Sequence, residues 1–422
     1  MPTSRPIRAT YLIETAFSLE QAAEIMAGEQ SSGTFVKTPG ETDELKAKHA
    51  AHIENIDKIG ETDQPSLPGA RIPKEATNPT YQQAKVTLSW PLENVGINLP
   101  NLMATVAGNL FELAPFSALK LLDVTVPEEY QQTYLGPQFG TAGTRKLIGM
   151  DDRPIIGTII KPSVGLSPQQ TAQQVETLIN AGLDFIKDDE LMGDSPHSPF
   201  EQRVDAVMEV ILRYADQHGK KPMFAFNLSG DLDDMLRRHD YVLERGGTCV
   251  MASLNWVGIS GIAKLRQHSQ LPIHGHRNGW GLYARSEAIG LEFPVYQTVF
   301  SLAGVDHIHT NGIRNKFCET DESVIRSIKS CLDPQGGGIP VTPVISSGQW
   351  AEQAHDTYQA IQSVDLMYLC GGGITGHPGG LAAGVRSIQL AWEGAMQGQT
   401  IDDLQDQHPE IQQAIALYGR RK

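Results

Sequence analysis

PIIGTIIK (154–161), SPQQTAQQVETLINAG (167–182) and LDFIKDD (183–189) follow one another with a single short gap between them. The first and third are short apolar, β-branched runs that end on charged residues. The middle stretch carries apolar residues at helical spacing. Ser167 is placed to cap its start, Pro168 suits its first turn, and Ala181-Gly182 ends it. Near-continuous apolar strands joined through a helix are parallel strands covered by helices.

The same alternation repeats outward from this unit. PMFAFNLS (222–229), TCVMASLN (248–255), LPIHGHR (271–277), VDHIHTN (305–311), TPVISSG (342–348) and LMYLCGG (366–372) read as six further strands. Helical stretches lie between most of them, such as EQRVDAVMEVILRYADQHGKK (201–221), which ends near a glycine. Eight strands over about 270 residues match a (β/α)₈ TIM barrel, usually of roughly 250. A doubly wound sheet would carry GxGxxG or a P-loop after its first strand, and neither is there.

The first 140 residues read differently. The β-type runs ATYLIET (9–15), GTFVK (33–37) and AKVTLSWP (84–91) stand among helix-like stretches such as SLEQAAEIMAG (18–28). The polar segment from Glu41 to Tyr81 reads as loop with one helix, Glu44 to Ile59. A second helix is expected over LFELAPFSALKLLDV (110–124). The expected organisation is thus α/β: an N-terminal α+β, ferredoxin-like domain (1–140) and a C-terminal barrel (141–422) that carries the chemistry.

A net charge of −15 argues against a nucleic-acid partner, and no apolar run reaches the roughly 18 residues of a spanning helix. The four cysteines (Cys249, Cys318, Cys331, Cys370) are scattered, with no CxxC pair. Together with an N-terminus lacking a signal-type apolar core, they point to reduced thiols and a cytoplasmic enzyme.

Barrel enzymes place their chemistry at the carboxyl ends of the strands. Reading those ends gives Lys161, then Lys187, Asp189 and Glu190, Asn227, Asn255, His276 and Arg277, His309, Ser346, and Gly371 to Gly373. In a strand Lys187 and Asp189 share a face, and Glu190 can swing inward where the strand ends. Two carboxylates so close suit a hard cation such as Mg²⁺, although a solvated strand end would present the same letters. Lys161 fits an acid, base or electrostatic clamp, or a snorkelling lysine. The pairs His274/His276 and His307/His309 could ligate Zn²⁺, but the neighbouring acidic oxygens favour Mg²⁺, and one histidine of each pair reads as structural. Arg277 reads as a phosphate or carboxylate clamp. The glycine-rich turns SSG and CGGGITGHPGG lie where this fold binds phosphate, or are simply tight turns.

GTIIKP, GLDFIKDDE, HGHR, DHIHT and GGGxxGHPxG, in that order, resemble the large subunit of ribulose-bisphosphate carboxylase, and GTFVK and TVAGNLF extend the resemblance into the N-terminal domain. The resemblance implies that Lys187 takes up CO₂ as a carbamate (N6-carboxylysine) and, with Asp189 and Glu190, holds Mg²⁺. It implies proton transfer by Lys161 and a relay or hydrogen-bonding role for His276. Arg277, His309 and Ser346 would hold one anionic end of a phosphorylated sugar, and Thr34, Gly348, Gly371 and Gly372 a phosphate opposite. Glu29, Thr34 and Asn109 would come from a neighbouring subunit, making the active unit a homodimer or a multiple of dimers.

The departures from the family pattern bear on the reaction. Ser163 stands where the carboxylases' KPK turn has its second lysine, Trp280 replaces a histidine, and Phe35 replaces a tryptophan. Lys316 is kept in the loop after the sixth strand as a possible catalytic lysine, without the usual glycine-valine pattern around it. This is the profile of the non-carboxylating RuBisCO-like proteins. IIKPSVG, KDDELM and HRNGWG stand nearest to the type that decarboxylates 3-oxo-isoapionate 4-phosphate in apiose breakdown. Alternatives are an enolase/isomerase of a methylthioribulose-type phosphate in methionine salvage, a non-catalytic metabolite-binding barrel, and, least of all, a true carboxylase.

Overall fold

The computed structural model describes residues 5–33 and 38–419. The chain divides into two compact units: Met1–Tyr134 with Gly279–Leu302 and Pro334–Ile339, and Leu135–Asn278 with Ala303–Asp333 and Pro340–Lys422.

In the first unit, strands β1 (Ile7–Thr15), β2 (His52–Thr62), β3 (Tyr81–Trp90) and β4 (Phe116–Thr125) form an antiparallel sheet in the order β4-β1-β3-β2. With helices Leu19–Glu29 and Leu99–Ala107 this is the expected ferredoxin-like α+β arrangement. The sheet's apolar face is built by alternate residues, for example Ile7, Ala9, Tyr11 and Ile13 of β1, all buried.

Two local expectations are corrected. The helix expected over Glu44–Ile59 is a short helix, Asp43–His49, followed by β2. Ile53, Ile56 and Ile59 are spaced by three, as in a helix. The strand accommodates that spacing because its pairing with β3 shifts register between Ile53 and Asn55 and again between Lys58 and Gly60. Such bulges break the period of two and are favoured on edge strands, where β2 lies. The helix expected over 110–124 is a 3₁₀ turn, Asn109–Glu112, then β4. Pro115 cannot continue a helix and forces the preceding residue toward extended backbone. The run GTFVK falls almost wholly outside the described residues.

In the second unit, β5 (Ile155–Ile159), β6 (Phe185–Lys187), β7 (Met223–Asn227), β8 (Cys249–Ser253) and β9 (Ile273–His276) follow in chain order. β10 (Ile289–Leu291) belongs to the first unit, where it pairs parallel with β4. β11 (His307–Asn311), β12 (Thr342–Ser346) and β13 (Met367–Leu369) complete a closed parallel barrel of eight strands. The expected (β/α)₈ barrel is therefore present. Phe185, Met223, Met251, Val344, Met367 and Leu369 fill its interior as a packed core. Helix Pro168–Asn180 begins with the capping box Ser167/Gln170. Helix Phe200–His218 ends at Gly219, whose φ of +66° suits the left-handed cap position.

Candidate active site

The carboxyl ends of β5, β6 and β9 bring five of the expected residues into two contact groups, Lys161 with Asp189 and Lys187 with Glu190 and His276. Lys161 lies two residues beyond β5. Its backbone is pinned by Gln174, which accepts from Lys161 N at 3.3 Å and donates to Lys161 O at 2.8 Å. This leaves its ammonium directed at Asp189 Oδ2, 2.6 Å away, and at Ser163 Oγ, 2.8 Å away. Ser163 thus accepts from Lys161, which a lysine at that position could not do.

Lys187 ends β6 with its side chain only 1% exposed. Its Nζ donates to Asp188 O at 2.9 Å and reaches Glu190 Oε2 at 3.3 Å. Burial lowers the Lys187 amine below the ordinary lysine value, although Glu190 and Asp189 work against the shift. Burial also disfavours the Glu190 carboxylate, but attraction to His276 and Lys187 outweighs it and keeps the carboxyl acidic. His276 Nδ1 accepts the Asn278 backbone N–H at 3.2 Å. The neutral ring therefore carries its hydrogen on Nε2, which lies 3.5 Å from Glu190 Oε2. Burial, reinforced by Lys187, lowers His276 to about 4, so the ring is neutral near pH 7.

Asp188 faces the other way, as strand alternation requires. It meets Arg203 at 3.2 Å, with side chains 1% and 0% exposed, and accepts the Asn227 backbone N–H at 3.0 Å. Arg203 also donates to the carbonyls of Ser198, Met192 and Gly193. Asn227 Nδ2 donates to Glu190 O at 3.2 Å and Asp189 O at 3.4 Å. These groups fix the path of the segment that carries both carboxylates. Arg203 had no sequence signal, because its partner is fifteen residues away on another element.

The ring of His276 lies 4.3 Å from that of His309, which contacts Ser346 Oγ through Nδ1 at 3.2 Å. The expected anion-holding pair is therefore continuous with the carboxylate cluster. Arg277 is directed at Glu319, with Nη2 2.9 Å from Oε2. Glu319 also accepts from Asn311 and Ser323 and was not singled out from the sequence. Lys316 is exposed, its backbone N bonded to Ser347 O at 3.2 Å and its Nζ 5.2 Å from the Phe317 ring.

Gly348 follows Ser347 in a turn where both have positive φ, +82° and +75°. A Cβ on Gly372 would meet nothing within 4 Å, and one on Gly371 only Ile159 Cδ1 at 3.7 Å. On Gly373 it would strike Gln349 O at 2.4 Å. The first two glycines leave open space, whereas the third is required by packing. In the first unit Asn109 Nδ2 donates to Glu29 Oε1 at 3.2 Å, both residues exposed. Trp280 packs on Phe293 and Tyr296 in the same unit. Thr34 and Phe35 lie outside the described residues.

A parallel (β/α)₈ barrel with lysines, carboxylates and a neutral histidine gathered at its strand ends defines a barrel enzyme. The chain belongs to the ribulose bisphosphate carboxylase large-chain family: residues 1–130 match its N-terminal domain and residues 140–418 its catalytic domain. It is 49% identical to a 3-oxo-isoapionate-4-phosphate transcarboxylase/hydrolase of Xanthobacter autotrophicus, over 98% of this chain and 100% of the relative. It is 42% identical to a 3-oxo-isoapionate-4-phosphate decarboxylase of Rhizobium etli, over 99% of each. The crystal structure of a RuBisCO-like protein from Burkholderia fungorum superposes with a TM-score of 0.91 at 42% identity, covering 98% of this chain and 100% of that one. A dimeric archaeal RuBisCO from Hyperthermus butylicus gives 0.84 at 25% identity, covering 99% and 97%. No helix among the described residues is long and apolar enough to cross a membrane.

Proposed function

We propose that this chain is a Mg²⁺-dependent enzyme acting on 3-oxo-isoapionate 4-phosphate, or a close branched 3-oxo sugar-acid phosphate, and that it cleaves the carboxyl group from the substrate. The contact chain Lys161–Asp189 and Lys187–Glu190–His276 carries this reading, together with the activities of the relatives.

The donor set fits the metal. Each carboxylate is balanced by an ammonium, Lys161 on Asp189 and Lys187 on Glu190, so the pocket is built around positive charge. The lowered pKa of Lys187 raises its unprotonated fraction, the form that adds to CO₂. In that addition the N–C bond of a carbamate forms and a proton leaves, replacing a cation with an oxygen ligand. Asp189, Glu190 and the Lys187 carbamate would hold Mg²⁺, which supplies Lewis-acid stabilisation to the oxygens of a chelating keto-alcohol.

In decarboxylation the bond to the carboxyl carbon breaks, CO₂ leaves, and the electron pair enters the adjacent carbonyl to give an enediolate. Lys161 would deliver a proton to the carbon that has lost CO₂. His276 donates from Nε2 to a substrate oxygen and stays neutral. His309 and Ser346 take the anionic end, with the open turns at Gly371, Gly372 and Gly348 on the phosphate. Glu29, Asn109 and Thr34 of a second copy complete the site in a homodimer. The Hyperthermus butylicus relative is described as dimeric, which supports that assembly.

The relative at 49% identity, a transcarboxylase/hydrolase, favours a second outcome from the same start, in which the carboxyl group is transferred and hydrolysis follows. Substrate labelled with ¹³C in its carboxyl group separates the two. Release of labelled CO₂ supports decarboxylation, and label retained in a smaller acid supports transfer and hydrolysis. Label left in unchanged substrate defeats both.

A further inference from the structure

Three buried histidines, His307, His274 and His309, form a continuous chain of which only the His309 end has a part in the proposed reaction. Thr144 Oγ1 lies 2.6 Å from Gly140 O and 2.8 Å from His307 Nε2. A carbonyl only accepts, so the Thr144 hydroxyl hydrogen goes to Gly140 and His307 donates from Nε2. His307 Nδ1 is then an acceptor, and His274 Nδ1, 3.3 Å away, carries the hydrogen. His274 Nε2 in turn accepts from His309 Nε2 at 2.8 Å. His309 Nδ1 is left as an acceptor for the Ser346 hydroxyl at 3.2 Å. Burial lowers all three imidazoles, His307 to about 3, so each ring carries one hydrogen and the alternation is forced.

The opposite arrangement is also complete. Thr144 would donate to His307 Nε2, each ring would carry its hydrogen on its other nitrogen, and His309 Nδ1 would donate to Ser346 Oγ. Ser346 would then donate to Thr310 O, which lies 3.3 Å away. The two arrangements contain the same hydrogens and no net charge. They differ at the ends, where the first uses the 2.6 Å contact to Gly140 O and the second the 3.3 Å contact to Thr310 O. The shorter contact selects the first. The helix bearing Thr144, Gly140–Ile148, is held in place by Asp306, which accepts from Phe139 N at 2.6 Å and Gly140 N at 2.9 Å.

We infer that Thr144 is a positioning residue that acts through His307 and His274 to set which nitrogen of His309 carries its hydrogen, and so whether the Ser346 hydroxyl hydrogen is engaged on His309 or held only by the 3.3 Å contact to Thr310 O, from which it can turn to an anion. With Thr144 present, His309 Nδ1 is an acceptor that occupies the Ser346 hydroxyl. Removing the Thr144 hydroxyl deletes the bond to Gly140 and leaves the arrangement ending on Thr310 as the better satisfied one, in which His309 Nδ1 donates. In that arrangement the Ser346 hydroxyl turns to an anion at the loss of only the 3.3 Å contact to Thr310 O, whereas in the first it would also leave the His309 Nδ1 lone pair unpaired. This last consequence rests on the reading that His309 and Ser346 hold an anionic group.

Neutron diffraction from crystals of the full chain exchanged into D₂O tests the assignment directly. The expected result is deuterium on Nε2 of His307, Nδ1 of His274 and Nε2 of His309; deuterium on the other nitrogen of His309 overturns the inference. In Thr144→Val the His309 deuterium is expected on Nδ1 in a large fraction of molecules. Affinity for inorganic phosphate, measured by titration calorimetry, is expected to rise roughly three- to tenfold, the worth of one net hydrogen bond. Thr144→Ser keeps the hydroxyl and should restore both properties, whereas Thr144→Ser behaving like Thr144→Val overturns the relay. The expected deuterium positions in all three proteins, with equal phosphate affinity, would sustain the relay and remove His309 and Ser346 from the anion site.

Discussion

The guanidinium of Arg203 and the carboxylate of Asp188 meet at 3.2 Å with side chains 0% and 1% exposed, directly behind the residues that carry the proposed chemistry. The pair takes no part in the reaction. It ties the helix Phe200–His218 to the loop after β6 and thereby sets where Asp189 and Glu190 stand. Arg203→Leu strands the Asp188 charge and is expected to cost about 3–5 kcal/mol of unfolding free energy. Urea denaturation of variant and parent measures it; a loss under about 1 kcal/mol would mean the pair is not structural.

Lys187 and Lys161 should fail in different ways. Lys187→Ala removes the carbamate-forming amine and is expected to abolish turnover together with high-affinity Mg²⁺ binding. Lys161→Met leaves both carboxylates in place and is expected to keep Mg²⁺ binding while lowering turnover about 10²- to 10⁴-fold, the usual range for a lost general acid. Titration calorimetry with Mg²⁺ and bicarbonate, beside steady-state rates, separates the two. Equal Mg²⁺ affinity in Lys187→Ala and parent would contradict the assignment.

The buried histidines predict acid sensitivity of definite sign. In the folded chain His274, His307 and His309 are held below the ordinary imidazole value by burial, His307 at about 3. Between that value and the unfolded value near 6.5, the unfolded chain binds more protons than the folded one. Their stabilisation is therefore fully present above pH ~6.5 and is lost as pH falls, at about 1.4 kcal/mol per pH unit for each ring. Calorimetric unfolding near pH 5 in buffers of different ionisation enthalpy should show uptake of about three protons from these rings. No uptake would contradict their burial in the neutral form.

The three adjacent glycines after β13 are expected to separate stability from binding. Gly373→Ala drives a methyl group into Gln349 O and should destabilise the fold by about 1–3 kcal/mol, read from the melting temperature. Gly372→Ala meets nothing and should melt like the parent while weakening inorganic phosphate binding. Unchanged phosphate affinity in a normally folded Gly372→Ala would remove this turn from the phosphate site.

The barrel was legible because parallel strands covered on both faces are written as continuous apolar runs, as in MFAFN of β7. The strand period of two likewise puts Lys187 and Asp189 on one face and Asp188 on the other from the order of the letters alone. What stayed hidden was either aperiodic or distant in the chain. The bulges of β2 gave Ile53, Ile56 and Ile59 a helical spacing, and the apolar run around Pro115 hid a turn followed by β4. Arg203, Gln174 and Glu319 act through partners on other elements, and a single sequence holds no signal for such pairs. The pairing of Arg277 with Glu319 likewise could not be read from HGHR, where the arginine suggested only a clamp for a ligand.

Crystals grown with bicarbonate and Mn²⁺ in place of Mg²⁺ test the central claim most directly, because the metal's anomalous signal locates it without reference to chemistry. The account predicts one strong peak bounded by the carboxylates of Asp189 and Glu190 and by extra density continuous with Lys187 Nζ. A peak elsewhere, with Lys187 unmodified and still paired to Glu190, would contradict it.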